Sequence, residues 1–242
     1  MSECARSPLD TAVDRRPCVT GDQVLDAARA LAPAIAARAA EVEAARRVPG
    51  DLLDALVAAG CFRMLLPRSH GGAGADLPSA LRLYEALAAA DASVGWTVMI
   101  GGSAWVDLVG LRRATFDGLF AAGADVVVAG AFAPCGSITP DSGGYRVTGR
   151  WGFASGCEHA TVLYGNSVES VIDGVPQMRM AVFSPTRSRS RTPGRCRACA
   201  GRGATTSGST CGSRWIGRGA RSTTSRAWTS RWSASRFRRS SR

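Results

Sequence analysis

The stretch AGAFAPCGSITPDSGGYRVTGRWGFASGCEHA, residues 129–160, decides the fold. It begins inside a continuous apolar run, residues 126–132, of strand length. Residues 142–144 then supply a turn, and Tyr145, Val147 and Trp151 suit a second strand. Residues 162–168 and 178–183 read as two further strands, separated by a turn over 172–176. Upstream the period is helical. Val24, Leu25, Ala28, Leu31, Ile35, Ala39 and Val42 recur at helical spacing across residues 22–47, with the basic pair Arg46–Arg47 suited to a helix C-terminus. A second helix fits residues 52–59, closed by Gly60, and an extended stretch over 62–67 leads to a polar turn at 69–74. A third helix fits 77–90. A fourth, apolar helix capped by Asp91 or Ser93 runs to about residue 109, and a short fifth spans 115–121. Helices followed by antiparallel strands predict an α+β fold with a sheet packed on a helical domain.

The 242 residues are 45% hydrophobic, enough for a sizeable core. No apolar run reaches the length of a membrane-spanning helix, and the N-terminus lacks a hydrophobic signal core, so a cytoplasmic protein is expected. The formal net charge is +11, and every basic residue is arginine. That charge is unevenly placed. Residues 1–185 hold 15 arginines and all 19 acidic residues, for a balance of −4, whereas residues 186–242 hold 15 arginines and no acid. Beyond Phe183 there is no Leu, Val or Met and a single Ile. Such a composition does not bury enough apolar surface to offset the entropy of ordering, so residues 186–242 are expected to be disordered. The expected organisation is a loose leader (1–21), a helical domain (22–122), a partial β domain (123–185) and a basic tail (186–242).

Three stretches together resemble the acyl-CoA dehydrogenase superfamily: GCFRMLLPRSHGGAGADL (residues 60–77), AGAFAPCGSITPDSGGYRVTGRW (129–151) and GRWGFASGCEHA (149–160). The pattern GGYxVxGxWxFxSG is the specific part. Its SGC ending is more similar to the flavin-dependent hydroxylase branch, of the p-hydroxyphenylacetate hydroxylase type, than to the dehydrogenases, which usually carry WITN there. The resemblance spans roughly residues 22–183. It implies a flavin cofactor, FAD or FMN, a small-molecule substrate that is aromatic or polyketide-like, and a separate flavin reductase as partner. Intact family members are homo-tetramers with a C-terminal helical bundle that has no counterpart here. That bundle carries the family's catalytic carboxylate or histidine, so no catalytic residue is assigned.

A flavin ring needs an apolar slot with a few placed donors and close backbone approach. Trp151 and Phe153 alternate along one strand and share a face that would cover the ring. Ser155 and Gly156 follow, where a hydroxyl and a backbone N–H would reach the N5/O4 edge. By position in the motif, Phe132, Gly136 and Ser137 would line the other side. With the family pattern set aside, Trp151 and Phe153 read as plain core residues rather than cofactor contacts. His159 and His70 read as loop and turn residues. Cys61, Cys135 and Cys157 have no metal-ligand spacing, and Cys196, Cys199 and Cys211 lack a fourth ligand, so no metal is expected.

The tail admits two readings. Taken at face value, its arginine–serine runs resemble segments that bind nucleic-acid phosphates. Alternatively it is translated out of frame: back-translated and shifted, residues 192–203 permit D-T-W-x-V-S-G-L-R-G-T-G, which fits the pattern expected after the strand ending near Phe183. The frameshift is the favoured reading, and it makes the chain a truncated, incomplete product. Three functions are therefore carried forward: a two-component flavin-dependent monooxygenase, an FAD-dependent acyl-CoA dehydrogenase, and a nucleic-acid binder using the basic tail.

Overall fold

The computed structural model describes residues 19–108, 110–120, 123–141, 144–151, 154–183 and, as a strand, 213–220. Residues 1–18 of the expected leader and most of the expected tail lie outside the described residues, whereas residues 20 and 21 of that leader already belong to the first helix and its cap.

Thr20 caps α1 (Gly21–Ala37) with a reciprocal capping box: its hydroxyl accepts from the Gln23 N–H, and the Gln23 side chain accepts from the Thr20 N–H. The helix expected over 22–47 is divided. α1 contains Pro33 and stops at Arg38, and α2 (Ala39–Ala45) follows. The Arg38 guanidinium sits at this joint, bonding Glu41 at 2.7 and 2.8 Å and Asp51 on α3 (Gly50–Ala58) at 2.6 and 3.1 Å. Gly60, at φ +81°, reverses the chain after α3, where a left-handed residue is needed.

The stretch expected to be extended, 62–67, instead forms tight turns, with short 3-10 segments at Cys61–Arg63 and Arg68–His70. Residues 73–75 fold back on it: the N–H groups of Ala73, Gly74 and Ala75 donate to the carbonyls of Arg63, Leu66 and Met64. Phe62, Arg63, Met64 and Leu66 are all buried, so this stretch serves a doubled-back loop inside the core rather than a strand. α4 (Leu77–Ala90) runs as expected, capped by Asp76, and Asp91 caps α5 (Ala92–Ser103) through the N–H groups of Ser93 and Val94. α6 (Trp105–Leu108) breaks away from α5, and the buried Trp105 indole donates to the Phe62 carbonyl at 2.9 Å. α7 (Arg113–Leu119) completes the helices.

The sheet contains β1 (Val128–Asp141), β2 (Gly144–Trp151), β3 (Val162–Ile172), β4 (Val175–Phe183) and β5 (Ser213–Ala220), in the order β4-β3-β1-β2-β5. The α+β class holds, but the sheet is mixed: β1 and β3 are parallel, whereas the other pairs are antiparallel. β2 lies outside β1 as a hairpin partner, so β3 crosses back to the other side of β1. Residues 213–220, inside the segment expected to be disordered, form a strand against β2. The helical core gathers Val24, Leu56, Met64, Leu83, Leu87 and Val98. A second cluster, with Trp105, Phe116, Phe120, Val128 and Tyr164, packs α6 and α7 on the first strands. His70 is buried against Phe116 and Phe120, with ring nitrogens on Ser69 Oγ (2.9 Å) and Asp117 Oδ1 (2.8 Å), and so pins the 68–70 turn to α7.

Candidate functional site

The glycines of the deciding stretch have a packing role first. Gly136 on β1 pairs with Gly149 on β2, Gly165 on β3 lies two residues before Ser167, the β3 partner of Gly136, and the Trp151 indole lies against all three glycines. A Cβ on Gly136 would stand 2.3 Å from Trp151 Cζ2 and one on Gly165 2.7 Å from Cε2. The ring is 2% exposed, and its N–H donates to the Asn166 carbonyl at 2.8 Å. Trp151 therefore fills a slot in the sheet and fixes the end of β2. Beyond it the chain leaves the sheet in the turn that carries Ser155 and Gly156.

That turn is held by N–H bonds from Cys157 to the Ala154 carbonyl and from His159 to the Gly156 carbonyl. Gly156 has φ +77°, and the nearest atom to a Cβ placed there is Thr97 Cγ2, 3.7 Å away. The turn thus faces α5 across a gap. This gap is a small open cleft, walled by Val42, Arg46, Arg47 and Val48 from the end of α2, by Ser93, Trp96 and Thr97 on α5, and by residues 155–159. Trp96 is 51% exposed, unusual for an indole, and offers the cleft an aromatic face.

His159 closes one end. Its Nε2 accepts the Val48 N–H at 3.3 Å, which places the proton of the neutral ring on Nδ1. Burial pushes the imidazole below its ordinary value, the Arg47 charge adds to that shift, and Glu158 opposes it. The ring expected on a surface loop is instead half-buried between the two halves of the structure.

The expected site residues therefore fall into separate places. Ser155 and Gly156 share the cleft wall. Gly136 and Trp151 lie together in the sheet slot. Ser137 is exposed on β1, its hydroxyl 3.4 Å from the Thr148 carbonyl. Phe132 is 58% exposed and meets Tyr164 edge-on at 5.5 Å. Phe153 lies outside the described residues. Sequence reasoning passed over Trp96 and the placement of Arg46, Arg47 and His159 in one cleft. An aromatic on an apolar helix gives no local sign of its face, and Val48 and His159 are 111 positions apart. Among the described residues no group of His, Cys, Asp or Glu side chains could hold a metal ion, and no helix is long and apolar enough to cross a membrane.

Residues 21–110 match the model of the acyl-CoA dehydrogenase N-terminal domain. These residues are an acyl-CoA dehydrogenase N-terminal domain. The chain is 36% identical over 150 residues to the flavin-dependent monooxygenase oxygenase subunit HsaA of Rhodococcus jostii (strain RHA1), covering 61% of this chain and 38% of that protein. It is 35% identical over 123 residues to the FADH2-dependent resorcinol hydroxylase oxygenase component of Rhizobium sp. (strain MTP-10005), covering 50% of this chain and 30% of that one. Among solved structures, 3-HSA hydroxylase from Rhodococcus sp. RHA1 superposes with a TM-score of 0.71 at 27% identity, over 84% of this chain and 50% of the other. The acyl-CoA dehydrogenase-like chain thus spans half or less of the length of these relatives.

Proposed function

We propose that this chain is the N-terminal part of the oxygenase component of a two-component flavin-dependent monooxygenase acting on an aromatic small molecule, with reduced flavin supplied by a separate reductase. One observation carries the proposal: the Ser155–Gly156 turn shares an open cleft with the exposed indole of Trp96, in a chain whose relatives are oxygenase components. In this reading residues 22–122 are the helical domain and 123–185 part of the β domain. The names of the relatives favour an oxygenase over a dehydrogenase of acyl thioesters.

The lining of the cleft suits an aromatic ring. Val42, Val48 and Trp96 supply apolar walls, and Gly156, at a positive φ that favours glycine, has no side chain to stand between backbone and ligand. When bound, reduced flavin supplies the activation of dioxygen and the transfer of one oxygen atom. The Ser155 hydroxyl would donate to the ring edge. Phe132, Gly136, Ser137, Trp151 and Phe153 are proposed as cofactor-binding residues from the sequence motif alone, and Trp151, buried in the sheet, acts by fixing the strand end that leads to Ser155. His159, held neutral with its proton on Nδ1, contributes no positive charge to the cleft. FAD and FMN are both compatible with it.

The test is an anaerobic titration of the full chain with reduced FMN and reduced FAD, followed by flavin fluorescence. Saturable binding is expected, weakened about three- to tenfold in Ser155→Ala by loss of one hydrogen bond. Absence of saturable binding of both flavins refutes the reading.

A further inference from the structure

Arg46 and Arg47 are left over by the fold. Four arginines of the described residues have carboxylate partners (Arg29 with Asp26, Arg38 with Glu41 and Asp51, Arg113 with Asp117, and Arg179 with Glu169), and Arg63 and Arg68 donate to the carbonyls of Gly71 and Ala73. Among the described residues neither Arg46 nor Arg47 makes an ion pair, although both line the cleft, where Glu158 is the one acid among the lining residues. With His159 neutral, the cleft carries an excess of positive charge over apolar walls. Arg46 also sits at φ +54°, a left-handed position that glycine occupies at less cost. A helix C-terminus accounts for one favourable positive charge near Ala45. It does not account for two exposed arginines lining the same apolar cleft beside a half-exposed indole.

We propose that the rim of this cleft is an anion site, at which Arg46 and Arg47 hold the carboxylate or phosphate of an aromatic molecule lying against Trp96. The proposal rests on the aromatic-ligand reading given above. Guanidinium groups suit it because their planar fork matches carboxylate and phosphate oxygens. The shared chemistry is an aromatic ring with an anionic arm, and two sources can supply it: an aromatic acid as substrate, or the phosphate of the flavin.

Binding to the full 242-residue chain, measured by equilibrium dialysis, separates them. One pair of ligands is 4-hydroxyphenylacetate and its amide; the other is FMN and riboflavin. The charged member of at least one pair is expected to bind about tenfold tighter, equivalent to about 1.4 kcal/mol. A preference within the first pair identifies a substrate acid, and one within the second identifies the cofactor phosphate. The preference should shrink between about 0.05 and about 0.5 M salt and fall below about twofold in the double variant Arg46→Gln, Arg47→Gln. Arg46→Gly, which relaxes the backbone, should also weaken the preference without loss of fold. Equal binding within both pairs, or a preference that survives the double variant, overturns the anion site and leaves the aromatic-ligand reading standing. No binding of any of the four overturns both.

Discussion

The three-glycine slot under Trp151 makes a quantitative prediction about Gly136→Ala. The new methyl would stand 2.3 Å from Trp151 Cζ2 and 2.6 Å from Ser167 Oγ, both far inside contact distance. The indole has little room to retreat, because Gly149 and Gly165 already touch its other atoms and its N–H is held by the Asn166 carbonyl. Overpacking of this kind costs about 1–3 kcal/mol, and the upper end is expected here. That is a large part of a stability of about 5–15 kcal/mol. Trp151→Phe alone should cost about 2 kcal/mol, from a smaller ring and a lost hydrogen bond. The two effects should not add. Phenylalanine lacks the ring atoms that the methyl strikes, so the double variant should be at least about 1 kcal/mol more stable than the sum of the singles. Urea unfolding of the full chain followed by far-UV circular dichroism measures all four corners of the cycle. Additivity within about 0.5 kcal/mol, or a Gly136→Ala cost below about 0.5 kcal/mol, would refute the slot.

Other outcomes follow from features already described. A Cβ on Gly118, inside α7, would meet nothing within 4 Å, so Gly118→Ala should raise stability by about 0.5–1 kcal/mol, read in the same urea titration. The His159 imidazole is held below its ordinary value of 6.5 in the folded chain. As pH falls through about 6.5 the unfolded chain takes up this proton before the folded one does, so stability should decline there; in His159→Asn that part of the decline should vanish. His70→Ala removes a buried ring from between Phe116 and Phe120 and should cost about 2 kcal/mol or more, measured by the same unfolding assay. Burial pushes the Cys61 thiol up to about 12. Peptide mapping after brief alkylation near neutral pH should therefore find Cys61 labelled last among Cys61, Cys135 and Cys157.

What could be read from the residues was local. Asp91 caps α5 and residues 77–90 form α4 because capping chemistry and a 3.6-residue apolar period act within a few positions. The strands of the hairpins were legible for the same reason, since Asp173 and Gly174 reverse the chain between β3 and β4 with positive φ. The parallel pairing of β1 and β3 was not, because it depends on β2 being placed outside β1, which no short window records. The division of α5 from α6 likewise depends on Trp105 reaching the Phe62 carbonyl, 43 positions away. At the site, Ser155 and Gly156 were recognisable from the motif that contains them. Trp96 was not, because α5 is apolar on every face and its sequence does not say which face remains open.

The hydrogen bond from Val48 to His159 has a consequence for the order of events in folding. Its two ends belong to segments that acquire their local structure separately, so the cleft is closed only after helices and sheet have docked. A ligand bound there engages the docked state and neither part alone. By mass action it would raise the apparent melting temperature of the helical and sheet segments together, joining them into one cooperative unit.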